Sequence, residues 1–326
     1  MTGRTMSTLE IGHARRPAHP GFTLFAALAQ GKYRPSGLWH KASFRAKFAL
    51  RTLLMPRASG QLLTMLASLA QRDAILSCQP RLPCRLHHPY LSRRFSRHQI
   101  IAALSTHYRL IDHWLSHAQR QALYSGQSLT LAQVCGKQEQ SYTLRLAVRE
   151  RLGKEGELSL SLHDQQDHLL AVCTFTLLTH HGVPTLFIGG LQGSSPSLPH
   201  SYTQAAAKAC HGLFPKRLLA EALSEIAQRA RCQQILAVGN ADHIYSHWRY
   251  RRKKQSQMLA DYDGFWRSLN GEPNEEGYFS LPLTPTRKPA ESIPSKKRAE
   301  YRRRYQLLDA LQQALRDHLD QAPSSD

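Results

Sequence analysis

Apolar positions recur at two different periods along this chain, and the switch between them divides it. Between Gln99 and Ser116, the residues Ile100, Ile101, Leu104, Tyr108, Ile111 and Leu115 return every three or four positions, which turns one face of a helix inward. From Tyr142 the period drops to two. Tyr142, Leu144, Leu146 and Val148 alternate with polar neighbours, as do Leu158, Leu160 and Leu162. Two more apolar runs follow at 168–178 and 185–191, and the links joining the four runs are the short GKEG, DQQD and THHGVP. A parallel crossover needs about a dozen residues, so these links predict an antiparallel meander.

Helical spacing returns at 201–211 and 215–231, the latter opening on Pro215 with Leu218, Leu219, Leu223 and Ile226 turned inward. The strand QILAVGN then follows, and the long connection predicts that it lies parallel to the strand ending near Leu191, with helices covering a face. Residues 242–269 read as helical and basic, 278–281 as a short strand, and 301–319 as an amphipathic helix presenting Tyr305, Leu308, Leu311, Leu315 and Leu319 together. Upstream, residues 36–55 place Phe44, Phe48 and Met55 between two basic flanks and Trp39, Leu50 and Leu53 on the far side, which favours packing on the core over contact with a bilayer. Residues 61–71 read as a buried helix. The expected fold is mixed α/β (α+β), mostly antiparallel with one parallel addition. Its expected parts are a flexible lead-in (1–20), a basic helical N-terminal region (21–95), an α/β core (96–290) and a basic C-terminal helix packed on it (291–326).

Composition narrows the class. With 326 residues, 41% of them hydrophobic, the chain has enough apolar material for an ordinary core, which excludes a disordered polymer. No apolar run is long enough to span a bilayer, and the first 20 residues lack a signal core, so a cytoplasmic protein is expected. The six scattered cysteines suit a reducing compartment. Lys and Arg number 43 against 23 Asp and Glu, a net charge of +20 that predicts attraction to phosphates or acidic surfaces. Residues 1–110 hold 17 of the cations against only Glu10 and Asp73. Two dense clusters near the C-terminus supply the candidate anion-binding residues Arg249, Arg251, Arg252, Lys253, Lys254, Lys296, Lys297 and Arg298.

Reactive side chains are sparse. Cys78, Cys84, His87 and His88 crowd together, but their spacing fits no common zinc pattern, so no metal is expected. No nucleophile elbow or P-loop occurs, and Cys173 sits inside an apolar strand where a thiol is inert packing. GGLQG (189–193) lacks the spacing of a dinucleotide loop. It does end a strand, precede helices and lead to a further strand, an order that resembles acetyltransferases of the GNAT type. That resemblance implies coenzyme A bound at Gln192, Gly193 and Ser194, although the usual G-x-G is replaced by Gly-Ser-Ser-Pro and a helix is added. A bulge or tight strand exit is the competing reading of these glycines. Asn240 and His243, just past the carboxyl end of a predicted strand, are the pocket candidates for catalysis, against a plain helix cap with exposed histidines.

The strings DYDGFWRSLNG, GYFSLPL and ESIPSKKRAEYRRRYQLLDAL, together with HGLFPKRLL and ILAVGNADHIY, resemble the VirK/YbjX family of Gram-negative bacteria. The likeness runs from around Ser43 to the last helix. It implies association with virulence, handling of surface proteins and resistance to cationic antimicrobial peptides, and it brings no catalytic residue with it. The leading expectation is a cytoplasmic protein, peripheral on the inner membrane, that supports envelope integrity by binding anionic lipid or another phosphate-bearing ligand. The alternative is an acyltransferase using acyl-CoA; the third, nucleic-acid binding, lacks a recognisable reading motif.

Overall fold

The computed structural model describes residues 19–195, 197–246 and 261–319. The described residues open on four helices: α1 (Pro20–Gln30), α2 (Ala42–Leu53), α3 (Pro56–Ala67) and α4 (Arg72–Cys78). Proline begins α1 and α3, where its missing N–H has no intrahelical partner to lose. Next come α5 (Arg97–Trp114) and α6 (His117–Tyr124), each started by a reciprocal Ser/Gln capping box, Ser96 with Gln99 and Ser116 with Gln119.

Five strands follow: β1 (Leu129–Cys135), β2 (Ser141–Ala147), β3 (Leu158–His163), β4 (Leu169–His180) and β5 (Val183–Gly193). After α7 (His200–Ala209) and α8 (Pro215–Arg229), β6 (Gln234–Val238) returns to the sheet. Then come α9 (Tyr262–Ser268), β7 (Glu272–Pro273), β8 (Tyr278–Leu281) and the long α10 (Ser295–Leu319). The eight strands lie in the order β1-β2-β3-β4-β5-β6-β8-β7. All neighbours are antiparallel except β5 and β6. The expected meander and its single parallel addition are both present. The sheet also gains β1, which the sequence patterns did not single out, and the span expected to be helical from 242 to 269 contains a short turn at Ile244–Ser246 and α9, with 247–260 outside the described residues.

Every residue of β3 is buried, because helices cover both faces of the sheet. On one face Glu157 and Thr176 meet Tyr108 of α5 and Tyr90. On the other, α8 lies across β3 to β6, and α10 packs on α8 and β1. One continuous apolar core runs from Leu24 to Leu315. No helix among the described residues is long and apolar enough to cross a membrane.

Candidate functional site

The parallel pair opens at its carboxyl end. β6 pairs with β5 only from Thr185 to Ile188, whereas β5 continues to Gly193 with β4 alone as its strand partner. The β4–β5 register skips Gly189, a bulge that strengthens the local twist and turns the rest of β5 away. Backbone groups exposed by such an opening must be satisfied by other means. Here the Leu191 N–H donates to the Tyr262 hydroxyl of α9 at 3.3 Å.

Glu155, fully buried in the turn before β3, explains the glycine pair. A Cβ on Gly189 would stand 2.0 Å from the Glu155 carbonyl oxygen, and one on Gly190 would stand 2.1 Å from its carboxylate. These glycines therefore admit a carboxylate to the strand opening; they do not form a phosphate loop. Gln192 donates its amide to both Glu155 oxygens, at 3.1 and 3.0 Å. His243 Nε2 lies 3.8 Å from Glu155 Oε1, and its ring stacks on Tyr262 with centroids 5.1 Å apart. Burial, then the nearby Glu155 charge, pushes the Tyr262 phenol well up, so it stays protonated at neutral pH. Glu155, Gln192, His243 and Tyr262 thus form one buried polar group at the sheet opening.

Asn240 sits beside this group as a clamp. Its Oδ1 accepts the Tyr262 N–H at 2.9 Å, its Nδ2 donates to Asp261 at 3.0 Å, and its own N–H donates to Asp263 at 2.7 Å. It therefore fixes α9 to the end of β6. The cap of that helix is Asp261, which accepts from Gly264 N–H. Asp242 is buried and pairs with Arg93 at 3.2 Å and Arg94 at 2.7 Å.

Next to the buried group lies a cleft of 960 Å³. Its walls are Gly193 and Ser194 at the end of β5, the start of α8, α9, the loop at 285–289 and α10. Among the described residues, five cations line it: Lys216, Arg217, Arg287, Lys288 and Arg304. Apolar surface faces them, including Phe265, Tyr305 and Phe214, the last of which is 55% exposed. Desolvation holds the Lys216 ammonium below its ordinary range. Arg217 is engaged by Glu221 at 2.9 Å, and Arg287 by Asp309. Buried Cys173, its thiol pushed well up by burial, is inert packing behind β5, as its strand position predicts.

Of the residues singled out from sequence, His243 and Gln192 belong to the buried group, while Gly193 and Ser194 line the cleft. Lys296, Lys297 and Arg298 are exposed on the first turn of α10 and do not line it. Arg249, Arg251, Arg252, Lys253 and Lys254 lie outside the described residues. Glu155, Tyr262 and Lys216 were not picked out as site residues. The double glycine opposite Glu155 is the one sequence feature that marks its position.

For a metal, the described residues offer one group whose donor atoms converge within 4.8 Å: His180, His181 and Glu276. Both imidazoles already engage the carboxylate, at 2.5 and 2.9 Å. Burial alone would raise the Glu276 carboxyl, but hydrogen bonds from His181 and His180 outweigh it and hold the group below its ordinary value. The six cysteines are free. Burial raises the thiols of Cys78 to about 11 and Cys84 to about 12, which disfavours the thiolates a zinc site would need.

Residues 37–317 match the family described as "Protein of unknown function (DUF535)". A protein of Escherichia coli (strain K12) named "Uncharacterized protein YbjX" is 44% identical over 290 residues, covering 89% of this chain and 88% of that one. An uncharacterized protein of Haemophilus influenzae is 28% identical over 222 residues, 68% of this chain and 72% of its own. "Membrane protein LapB" of Mannheimia haemolytica is 23% identical over 214 residues, 64% of this chain and 89% of its own. The chain belongs to the DUF535 family and is a VirK/YbjX-type protein.

Proposed function

We propose that this protein is an acyl-CoA-dependent acyltransferase whose donor occupies the 960 Å³ cleft beside the opening of β5 and β6. The single observation that carries this reading is that opening. A parallel pair that parts after Ile188 leaves a crevice at the carboxyl ends of its strands, and the first turn of α8 faces it. Ligands of open α/β sheets favour such crevices, and a helix start favours an anion. The cleft lies near the upper end of the roughly 300–1,000 Å³ range of small-molecule sites.

Its chemistry suits the donor. Lys216, Arg217, Arg287, Lys288 and Arg304 offer charge to a diphosphate and a further phosphate, while Phe214, Phe265 and Tyr305 offer apolar surface to the rest. In the transfer, an amine or hydroxyl of the acceptor attacks the thioester carbon, the carbon–sulfur bond breaks, and the acyl group leaves on the new bond. The acceptor loses a proton and the coenzyme thiolate gains one. His243, backed by Glu155, is the base this reading assigns, once its Nδ1 gives up the Tyr245 N–H that it accepts at 3.4 Å, and Tyr262, kept protonated by burial, is the acid. The family resemblance makes an envelope component the acceptor to try first. The expected reliance on anionic ligands is retained, with the phosphates belonging to the donor.

Thermal unfolding tests the reading. At a hundredfold excess over its Kd, acetyl-CoA or CoA should stabilise the protein by about 2.7 kcal/mol, raising Tm by several degrees. An unchanged Tm with saturating CoA and with short and long acyl-CoA would remove the proposal.

A further inference from the structure

A second charged face lies far along the chain from that cleft. No Asp or Glu occurs between Glu10 and Asp73, so α2 and α3 carry cations alone and α1 carries no charged side chain. On α2 and its end, Leu50, Leu53 and Leu54 are 62%, 63% and 75% exposed. Large apolar side chains in this i, i+3, i+4 relation normally turn inward, yet here the inward positions are taken by Phe48 and Thr52. With about 100° per residue, Leu53, Leu50, Leu54, Lys47 and Arg51 follow one another around a single arc of about 160°.

Lys47 and Arg51 also form the rim of a 660 Å³ cleft whose other basic residues are Arg81, Arg85, Arg151 and Lys154. Among the described residues Glu150 is the one carboxylate lining it, and Arg81 engages that group at 3.1 Å. Arg85, 7% exposed, donates to Glu157 at 2.9 Å and Gln79 at 2.7 Å, while its Nε is buried with no hydrogen-bond partner among the described residues. Lys47, Arg51 and Arg151 have no carboxylate within ion-pair reach among the described residues. His87, in the same cleft, is held down at about 4 by desolvation and then by Arg51, so arginine and lysine carry the charge there.

We infer that this face docks on an anionic phospholipid bilayer, with Leu50, Leu53 and Leu54 entering the headgroup boundary and Lys47, Arg51 and Arg151 receiving lipid phosphates. The pairing of exposed leucines with uncompensated cations on one arc selects this occupant. A nucleic acid has phosphates for the cations but no use for the leucines. A second copy of the chain would bring Lys47 and Arg51 against their own equivalents with no carboxylate between them. The inference does not depend on the acyltransferase reading, and its test involves no acyl-CoA.

Co-sedimentation of the full chain with phosphatidylglycerol/phosphatidylcholine vesicles, and with phosphatidylcholine alone, tests it. Two variants at exposed or half-exposed positions separate the contributions: L50S/L53S/L54S removes the apolar row and K47E/R51E reverses the rim charge. Circular dichroism and Tm check that both fold. The chain should bind the anionic vesicles and not the neutral ones, and each variant should bind about tenfold more weakly, while K296E/K297E at the start of α10 binds as the original does. Absence of binding to anionic vesicles would overturn the inference. So would equal losses in K296E/K297E and K47E/R51E, which would mean diffuse attraction. Unchanged vesicle binding in L50S/L53S/L54S, with loss of a dimer in sedimentation velocity, would assign the leucines to self-association and overturn it too.

Discussion

His107 shows how one buried side chain ties stability to pH. It lies under β4, where its Nδ1 accepts the Leu177 N–H at 3.2 Å, so the ring must be neutral at that nitrogen. Desolvation lowers its pKa to about 4 from an unfolded value of 6.5. Between those values the unfolded chain binds the proton and the folded one does not, so stability is complete above about pH 6.5 and falls as pH drops toward 4. The loss from this residue should approach about 3 kcal/mol, and urea titrations at pH 7 and pH 4.5 should show it. In the His107→Gln variant that fall should be smaller. Gly189 makes the complementary point about space. A methyl there meets backbone, the Glu155 carbonyl oxygen, so Gly189→Ala should lower stability by about 1–3 kcal/mol or more in a urea melt. Gly190→Ala meets the Glu155 side chain, which can swing, so it should unfold at higher urea than Gly189→Ala while displacing the carboxylate from Gln192.

At the scale of elements, the site is an opening between two strands closed off by a clamped helix. Asn240 makes three hydrogen bonds that hold α9 against the end of β6, and Trp266 of α9 adds a fourth to the Val238 carbonyl at 2.9 Å. Asn240→Ala leaves the Tyr262 N–H and Asp261 without that partner, and should cost about 1–2 kcal/mol in a denaturant melt. Because that clamp also holds α9, whose Phe265 lines the cleft, the variant should weaken acyl-CoA binding in the thermal assay. Much of this level was legible beforehand. The alternation in β2 and β3, the short links and the Pro215 helix start predicted the meander, the parallel return and the covering helix. β1 escaped notice because its apolar positions, Leu131, Ala132 and Val134, break strict alternation at a bulge between Thr130 and Ala132. Glu155 escaped because a carboxylate in a Gly-bearing link reads as solvated. Only the approach of β5's glycines shows that it is buried. Lys216, in the first turn of a helix, reads the same way until Gly193, Phe265 and Arg304 are brought around it.

For the whole molecule, the helical N-terminal layer and the sheet are joined by charge as well as by apolar contact. Arg85 and Glu157 pair at 2.9 Å, 7% and 2% exposed, with Gln79 and Tyr108 completing the carboxylate's hydrogen bonds. Burial alone would raise the Glu157 carboxyl, but the Arg85 charge, helped by hydrogen bonds from Tyr108 and Gln79, holds it ionised below its ordinary value. Glu157→Gln strands the guanidinium in the interior, so guanidinium chloride unfolding should report a loss of about 3–5 kcal/mol. The excess positive charge is not confined to one surface. Part of it lines the cleft at the sheet opening and part the rim beside α2, which makes a small phosphate-bearing ligand and a charged surface separate questions. The first is settled most directly by titration calorimetry of CoA into the intact protein and into K216E/R287E. The account predicts saturable one-to-one binding to the original chain and at least about tenfold weaker binding to the variant. No heat of binding to the original chain, or equal affinity for both, would contradict it.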